Sequence, residues 1–133
     1  MIHSWVLVRA HRSGSWDIVN KALRSDVDRV HNPSTKEGVH IGAMGGMIDL
    51  VQRCYAGVSF RSGRILLDPK LPEQLAGIRM RIVYRGQWLD LHVSRQKLAI
   101  TLHESRSRQE SVAVEFKGEA YTLTGGAQKE FAF

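Results

Sequence analysis

The stretch that decides the fold lies beyond the middle of the chain, where residues 78–93 read IRMRIVYRGQWLDLHV. Apolar and polar side chains largely alternate along residues 78–84 and again along residues 89–93, which is the period of a strand with one covered face. Between the two runs, Arg85-Gly86 can turn the chain. The stretch therefore predicts an antiparallel hairpin with one face packed against another part of the protein.

Shorter runs with the same period surround this hairpin. They span residues 64–67, 98–102, 112–116 and 121–123, and Lys117-Gly118 can form the turn between the last two. About five to seven short strands with no helix between them predict a β-sandwich, because a strand with one apolar face needs a second sheet to cover it.

Upstream of Gly57 the apolar residues recur at helical spacing instead. Residues 2–10 and 16–30 both show steps of three and four, and a third helix is predicted from about residue 40 to residue 55. The apolar face of this third helix would hold Ile41, Met44, Ile48, Val51 and Tyr55, with Met47, Leu50 and Cys54 close beside it. We expect an α+β fold in which residues 1–57 are helical and residues 58–133 form an antiparallel β-sandwich.

Composition narrows the classes of protein to which the chain can belong. Of its 133 residues, 43% are hydrophobic and 24% charged, as in a soluble globular protein. The formal charge of +6 favours anionic partners, but the basic residues are spread along the chain, which argues against nucleic acid. The single cysteine, Cys54, allows no intrachain disulfide, and the N-terminus shows neither a signal peptide nor a transmembrane run. We therefore expect a cytoplasmic protein with no membrane partner.

The segment richest in chemical groups is residues 34–44, STKEGVHIGAM. It places hydroxyls, an ammonium group and an imidazole at the start of the predicted third helix, where free backbone N–H groups favour an oxyanion. The alternative is structural: Ser34 or Thr35 caps the helix, Glu37 returns the hydrogen bond, and His40 is satisfied inside the fold. The residues alone leave both interpretations open.

Several blocks of sequence bear a family resemblance. Residues 34–44 and 49–53 resemble the glycine-rich loop and final helix of glycoside hydrolase family 65, which includes maltose, trehalose and kojibiose phosphorylases. Residues 67–72 and 84–91 are similar to the C-terminal β domain of the same family. The resemblance implies that the helices are the end of an (α/α)6 barrel and that the β-sandwich is the C-terminal domain.

The resemblance also implies a chemistry. Family members cleave α-glucosidic disaccharides with inversion, using inorganic phosphate as co-substrate and a Glu of the barrel as general acid. Carried over by position, the phosphate-binding residues would be Ser34, Thr35, Lys36, Gly38 and His40, with Glu37 facing the leaving sugar. The chain does not include the part of the barrel that carries the acid, so we expect no catalytic residue, no metal site and no cofactor in it.

The partners of the chain are predicted from the family resemblance and from the apolar faces of its helices. In the parent family they are a disaccharide and phosphate. Helices that once closed a barrel expose apolar faces, so we expect a homo-oligomer or docking onto a separate catalytic chain. The alternative function is a non-catalytic carbohydrate-binding or subunit-interaction module, with Trp88 on the outward phase of its strand as a sugar platform.

Overall fold

The computed structural model describes residues 14–24, 41–104 and 111–133. The chain divides into two compact units, Met1–Tyr55 and Ala56–Phe133. The described part of the first unit contains the helices α1 (Ser15–Arg24) and α2 (Ile41–Leu50), and α2 continues into a π-helical turn, Val51–Tyr55. The second unit consists of strands. The predicted α+β fold class is confirmed.

The second unit has eight strands arranged in two four-stranded sheets. They are β1 (Val58–Arg61), β2 (Arg64–Leu67), β3 (Gly77–Tyr84), β4 (Gln87–Ser94), β5 (Lys97–Leu102), β6 (Ser111–Phe116), β7 (Glu119–Thr124) and β8 (Gln128–Ala132). One sheet has the order β1-β2-β6-β7 and the other the order β3-β4-β5-β8. All pairs are antiparallel except β2 with β6, which run parallel.

The inner faces of the two sheets form the core of this unit. Phe116 of β6 and Phe131 of β8 meet across the sheets with ring centroids 4.7 Å apart, and Tyr121 of β7 meets the same Phe131 at 5.0 Å. The most deeply buried strand residues, each 0% exposed, are Val58, Ile65, Leu89, Val93, Leu98, Ile100, Leu102, Val112 and Val114. Both sheets therefore contribute alternate residues to one core, as in a β-sandwich.

Three of the four hairpins between consecutive strands close with the same kind of tight turn. Ser62-Gly63, Arg85-Gly86 and Lys117-Gly118 all have positive φ at both residues. Two-residue turns of this kind match the right-handed twist of the flanking strands, and glycine adopts the second position without strain. The predicted turns at Arg85-Gly86 and Lys117-Gly118 are confirmed.

In the helical unit, α1 packs through a small aromatic and hydroxyl cluster. Val19 is 1% exposed. The Trp16 ring lies 6.3 Å from that of Tyr55, and the Ser15 and Tyr55 hydroxyl oxygens are 3.2 Å apart. Burial raises the pKa of the Tyr55 phenol. The contact with Tyr55 gives Trp16 a packing role in the helical unit.

The face of α2 that is covered differs from the predicted one. Met47, Leu50 and Cys54 are buried, whereas Ile41 is 80% exposed and Ile48 is 68% exposed. Of the predicted face Tyr55 is buried, and the three other buried residues lie beside that face. The helix is apolar over most of its circumference, so its sequence does not mark one side as the covered one. Cys54 is buried and forms no disulfide bond with any described residue.

Candidate functional site

The residues predicted to bind phosphate precede α2. Ser34, Thr35, Lys36, Gly38 and His40 all lie outside the described residues, as does Glu37, which is predicted to face the leaving sugar. The described chain resumes at Ile41 in α2. Their role as an anion site therefore stays a prediction. The predicted helix over residues 2–10 also lies outside the described residues.

The glycines of α2 face open space. A Cβ added at Gly42 or at Gly45 would meet no atom within 4 Å. Glycines inside a helix cost about 1 kcal/mol each relative to alanine, a cost that a close neighbour of the backbone would explain. No described residue comes close enough to Gly42 or Gly45 to be this neighbour.

In the second unit, a polar groove lies on the outer face of the sheet β3-β4-β5-β8. Its volume is about 630 Å³. The strand register places two rows of side chains across the four strands: Arg81, Asp90, Thr101 and Gln128 in one, and Arg79, His92, Ala99 and Glu130 in the next. We call this feature the outer groove, and Lys97 completes its wall.

Asp90 is the centre of hydrogen bonding in the outer groove. The Nε and Nη2 groups of Arg81 donate to its two carboxylate oxygens at 2.6 Å and 2.8 Å. The Nε2 atom of His103 lies 2.8 Å from Oδ2 of the same carboxylate. These bonds, chiefly that from Arg81 and then that from His103, hold the pKa of Asp90 well below its usual range. Because an ionised carboxylate only accepts hydrogen bonds, the imidazole is the donor.

Trp88 stands beside this cluster. It precedes Asp90 by two residues in β4, so both side chains project from the outer face of the sheet. The indole is 52% exposed, as the alternation of the strand predicted. The backbone N–H of His103 donates to the carbonyl oxygen of Trp88 at 2.9 Å, which places the imidazole next to the indole.

The opposite wall of the groove carries a second ion pair. Lys97 Nζ donates to both carboxylate oxygens of Glu130, at 2.9 Å and 3.0 Å, and the Gln128 amide lies 3.4 Å from the first of these oxygens. Between the two walls the floor consists of small residues, Ala99 and Thr101. The groove can therefore accept a ligand that both donates and accepts hydrogen bonds.

The groove does not fit acid catalysis. A general acid near neutral pH needs a carboxyl group with a raised pKa, and that of Asp90 is lowered instead. In residues 14–24, 41–104 and 111–133, no three His, Cys, Asp or Glu side chains come close enough together to hold a metal ion. No helix in the same residues is long and apolar enough to cross a membrane.

The sequence alone does not show the partner of His103. Its side chain is 39% exposed and pairs with Asp90. The two residues are separated by 13 positions. The signal that could have found the pair is the register of β4 with β5, in which Leu89 lies opposite Leu102. One step beyond this pair, Trp88 lies opposite His103.

Helices followed by a two-sheet sandwich with a polar outer groove define the class of the chain: an α+β protein whose larger unit is a β-sandwich module. Residues 58–123, almost the whole sandwich, match the family model described as "Glycosyl hydrolase family 65, C-terminal domain". The chain belongs to glycosyl hydrolase family 65 through this domain, and the resemblance stated from its sequence is confirmed.

Individual relatives agree with this assignment. An uncharacterized glycosyl hydrolase of Mycobacterium tuberculosis is 38% identical over 126 residues, which are 95% of this chain and 9% of that protein. Trehalose 6-phosphate phosphorylase of Lactococcus lactis is 31% identical over 85 residues, which are 64% of this chain and 11% of that enzyme. The chain spans roughly a tenth of the length of these curated relatives.

A solved structure shares the fold. It is assigned as a kojibiose phosphorylase from the human microbiome and matches with a TM-score of 0.80 at 18% identity. The match covers 99% of this chain and 17% of that one. At this identity the likeness shows the fold alone, and it extends over helices and sandwich together.

Proposed function

We propose that this chain is the C-terminal end of an inverting α-glucosyl disaccharide phosphorylase and supplies its phosphate-binding loop. The observation that carries the proposal is the match of residues 58–123 to the C-terminal domain of glycosyl hydrolase family 65. The names of the relatives support it, since they include trehalose 6-phosphate phosphorylase and kojibiose phosphorylase. The parent enzyme would use a disaccharide and inorganic phosphate in the cytoplasm.

The phosphate site would lie just before α2. Ser34, Thr35 and His40 would hold phosphate oxygens, Lys36 would add positive charge, and the backbone N–H after Gly38 would donate to the anion. The described part of α2 starts at Ile41, directly after the loop. The first N–H groups of a helix have no partner within it and favour a negative charge at this end. Glu37 would face the leaving sugar. In an inverting phosphorylase the phosphate takes the place of the water that a second carboxylate activates in a hydrolase.

The chain alone would not turn over substrate. Cleavage of the glycosidic bond requires a proton donor positioned at the leaving oxygen. Among the described residues, the one carboxyl group with a clearly shifted pKa is Asp90, and its shift is in the wrong direction for an acid. The general acid would come from the barrel, which other parts of the parent protein or a separate catalytic chain would supply.

The helical unit would provide the surface that contacts the catalytic barrel. Ile41 and Ile48 are largely exposed on α2. The open space around Gly42 and Gly45 would admit another helix close to the backbone of α2. In the isolated chain the same surface would favour self-association.

Phosphate titration tests the proposal on the complete chain. Inorganic phosphate added to ¹⁵N-labelled protein should shift the amide resonances of residues 38–42 and the His40 ring, whereas chloride at equal ionic strength should not. His40→Gln should weaken the binding about tenfold, the effect of losing one charge-assisted hydrogen bond. A loop whose resonances do not respond to phosphate would contradict the site.

The same sample is assayed for phosphorolysis of trehalose, maltose and kojibiose. No glucose phosphate should form, because the proton donor is missing. Release of glucose phosphate by the pure chain would show that it contains a general acid after all, and the proposed division of labour would be wrong.

A further inference from the structure

We propose that the outer groove is a carbohydrate-binding site, separate from the phosphate loop, that takes a neutral oligosaccharide of glucose units with Trp88 as its stacking platform. The choice of glucose rests on the proposed function. The existence of the site does not, because it is argued from the shape, the hydrogen-bonding groups and the charge of the groove.

The shape of the groove suits a short oligosaccharide. Its volume of about 630 Å³ falls within the range of small-molecule sites, roughly 300–1,000 Å³. Ala99 and Thr101 keep the floor low, while Arg79 on one side and Lys97 on the other raise the walls. Neighbouring strands are about 4.8 Å apart, so a ligand that crosses them passes a new polar side chain at each strand.

The hydrogen-bonding groups of the groove match hydroxyl groups. A sugar hydroxyl donates one hydrogen bond and accepts others, so its site needs both donors and acceptors close together. The carboxylates of Asp90 and Glu130 accept, the guanidinium of Arg79 donates, and the Thr101 hydroxyl does both. Asp90 is held in place by Arg81 and His103, which reduces the entropy lost when a ligand binds to it.

The charge of the groove favours a neutral ligand over an anion. Its two ion pairs, Arg81 with Asp90 and Lys97 with Glu130, already neutralise two of its three Arg and Lys side chains. A phosphate or a nucleic acid would meet two carboxylates or would have to separate these pairs. A neutral sugar can bind with both ion pairs intact.

Trp88 lies beside the outer groove, not among the residues that line it, and supplies the apolar part of the site. Its indole is 52% exposed and lies on the same face of β4 as Asp90, about 6.6 Å further along the strand. Sugar rings combine an apolar face of C–H groups with polar edges, and an exposed indole beside a fixed polar cluster offers both complements at one place. The ring would stack on Trp88 while its hydroxyls reach Asp90 and Thr101.

The test is a titration of the complete 133-residue chain with maltose, trehalose and maltotriose in the absence of phosphate. We expect the indole N–H resonance of Trp88 and the amide resonances of residues 79–103 to shift and to saturate. Trp88→Ala should weaken the binding about tenfold, and Thr101→Val should weaken it by a smaller factor of about three.

Phe60→Ala is the matched control, because Phe60 is 48% exposed and belongs to β1 of the other sheet. It should leave the affinity within about twofold. Thermal unfolding of each variant verifies that it is folded, and Thr101→Val keeps the side-chain volume if Trp88→Ala does not fold.

The inference is overturned if no sugar shifts the resonances of residues 79–103, or if Phe60→Ala weakens the binding as much as Trp88→Ala. Resonance shifts confined to residues 34–42 would also overturn it. Phosphate binding is measured by the resonances of residues 38–42, and sugar binding by those of residues 79–103. The proposed phosphate loop and the proposed sugar groove can therefore be rejected independently.

Discussion

At the scale of single residues, Gly57 shows how closely the first strand approaches the loop after the second. Its φ is +67°, and a Cβ added to it would overlap the backbone carbonyl group of Asp68. The carbonyl oxygen of Gly57 also accepts a hydrogen bond from the backbone N–H of Asp68 at 2.9 Å. A side chain at this position would therefore strain the backbone and separate two segments that are bonded together.

Gly57→Ala should lower the free energy of unfolding by about 4 kcal/mol or more, because the clash is with backbone atoms that cannot rotate away. Gly86→Ala is the matched control: its φ is +78°, but an added Cβ meets nothing within 4 Å. Gly86→Ala should lower the free energy of unfolding only by the strain of a left-handed backbone conformation, about 1–2 kcal/mol. Urea unfolding of the two variants measures the difference, and equal losses would mean that the approach of Asp68 is not rigid.

The alternation of residues 87–94 was enough to predict which side chains of the candidate groove point outward. Trp88 is exposed as predicted, and Asp90 and His92 share its face. The partners of these residues could not be predicted in the same way. The bond between Asp90 and His103 depends on the register between β4 and β5, which a pattern within one strand does not contain.

At the scale of elements, the sequence predicted strands well where one face is apolar and poorly where it is not. The hairpin of β3 and β4 was read from its alternation. In β8 only Phe131 is buried, and its four other residues are exposed, so no period marks it as a strand. The parallel pairing of β2 with β6 also escaped prediction, because it joins residues far apart in the chain, such as Ile65 and Val114.

Phe131 gives β8 its role in the sandwich, since it is 6% exposed and contacts Phe116 and Tyr121 of the opposite sheet. Phe131→Ala should therefore lower the free energy of unfolding by about 3–5 kcal/mol. Phe133→Ala is the matched control: Phe133 is 47% exposed, and its ring is 6.1 Å from that of Phe116. Phe133→Ala should lower the free energy of unfolding by less than about 1 kcal/mol. Chemical denaturation monitored by circular dichroism compares the two, and similar losses would show that β8 does not hold the sheets together.

At the scale of the whole molecule, the two units differ in how much of their apolar surface is buried. The sandwich buries alternate residues from both of its sheets. The helix α2 leaves Ile41 and Ile48 largely exposed, although a buried isoleucine side chain contributes about 1.5–3 kcal/mol. Under the proposed function, this exposed face of α2 is where the catalytic barrel would bind.

The isolated chain should therefore self-associate, and α2 should be the element responsible. Ile48→Lys replaces an exposed isoleucine of α2 with a charged residue and should weaken self-association about tenfold. Val83→Lys is the matched control, because it makes the same change of charge at a residue of β3 that is 51% exposed. Sedimentation velocity over a range of protein concentrations measures both variants beside the unchanged chain. A monomer at every concentration, or an equal effect of the two substitutions, would exclude α2 as the contact surface.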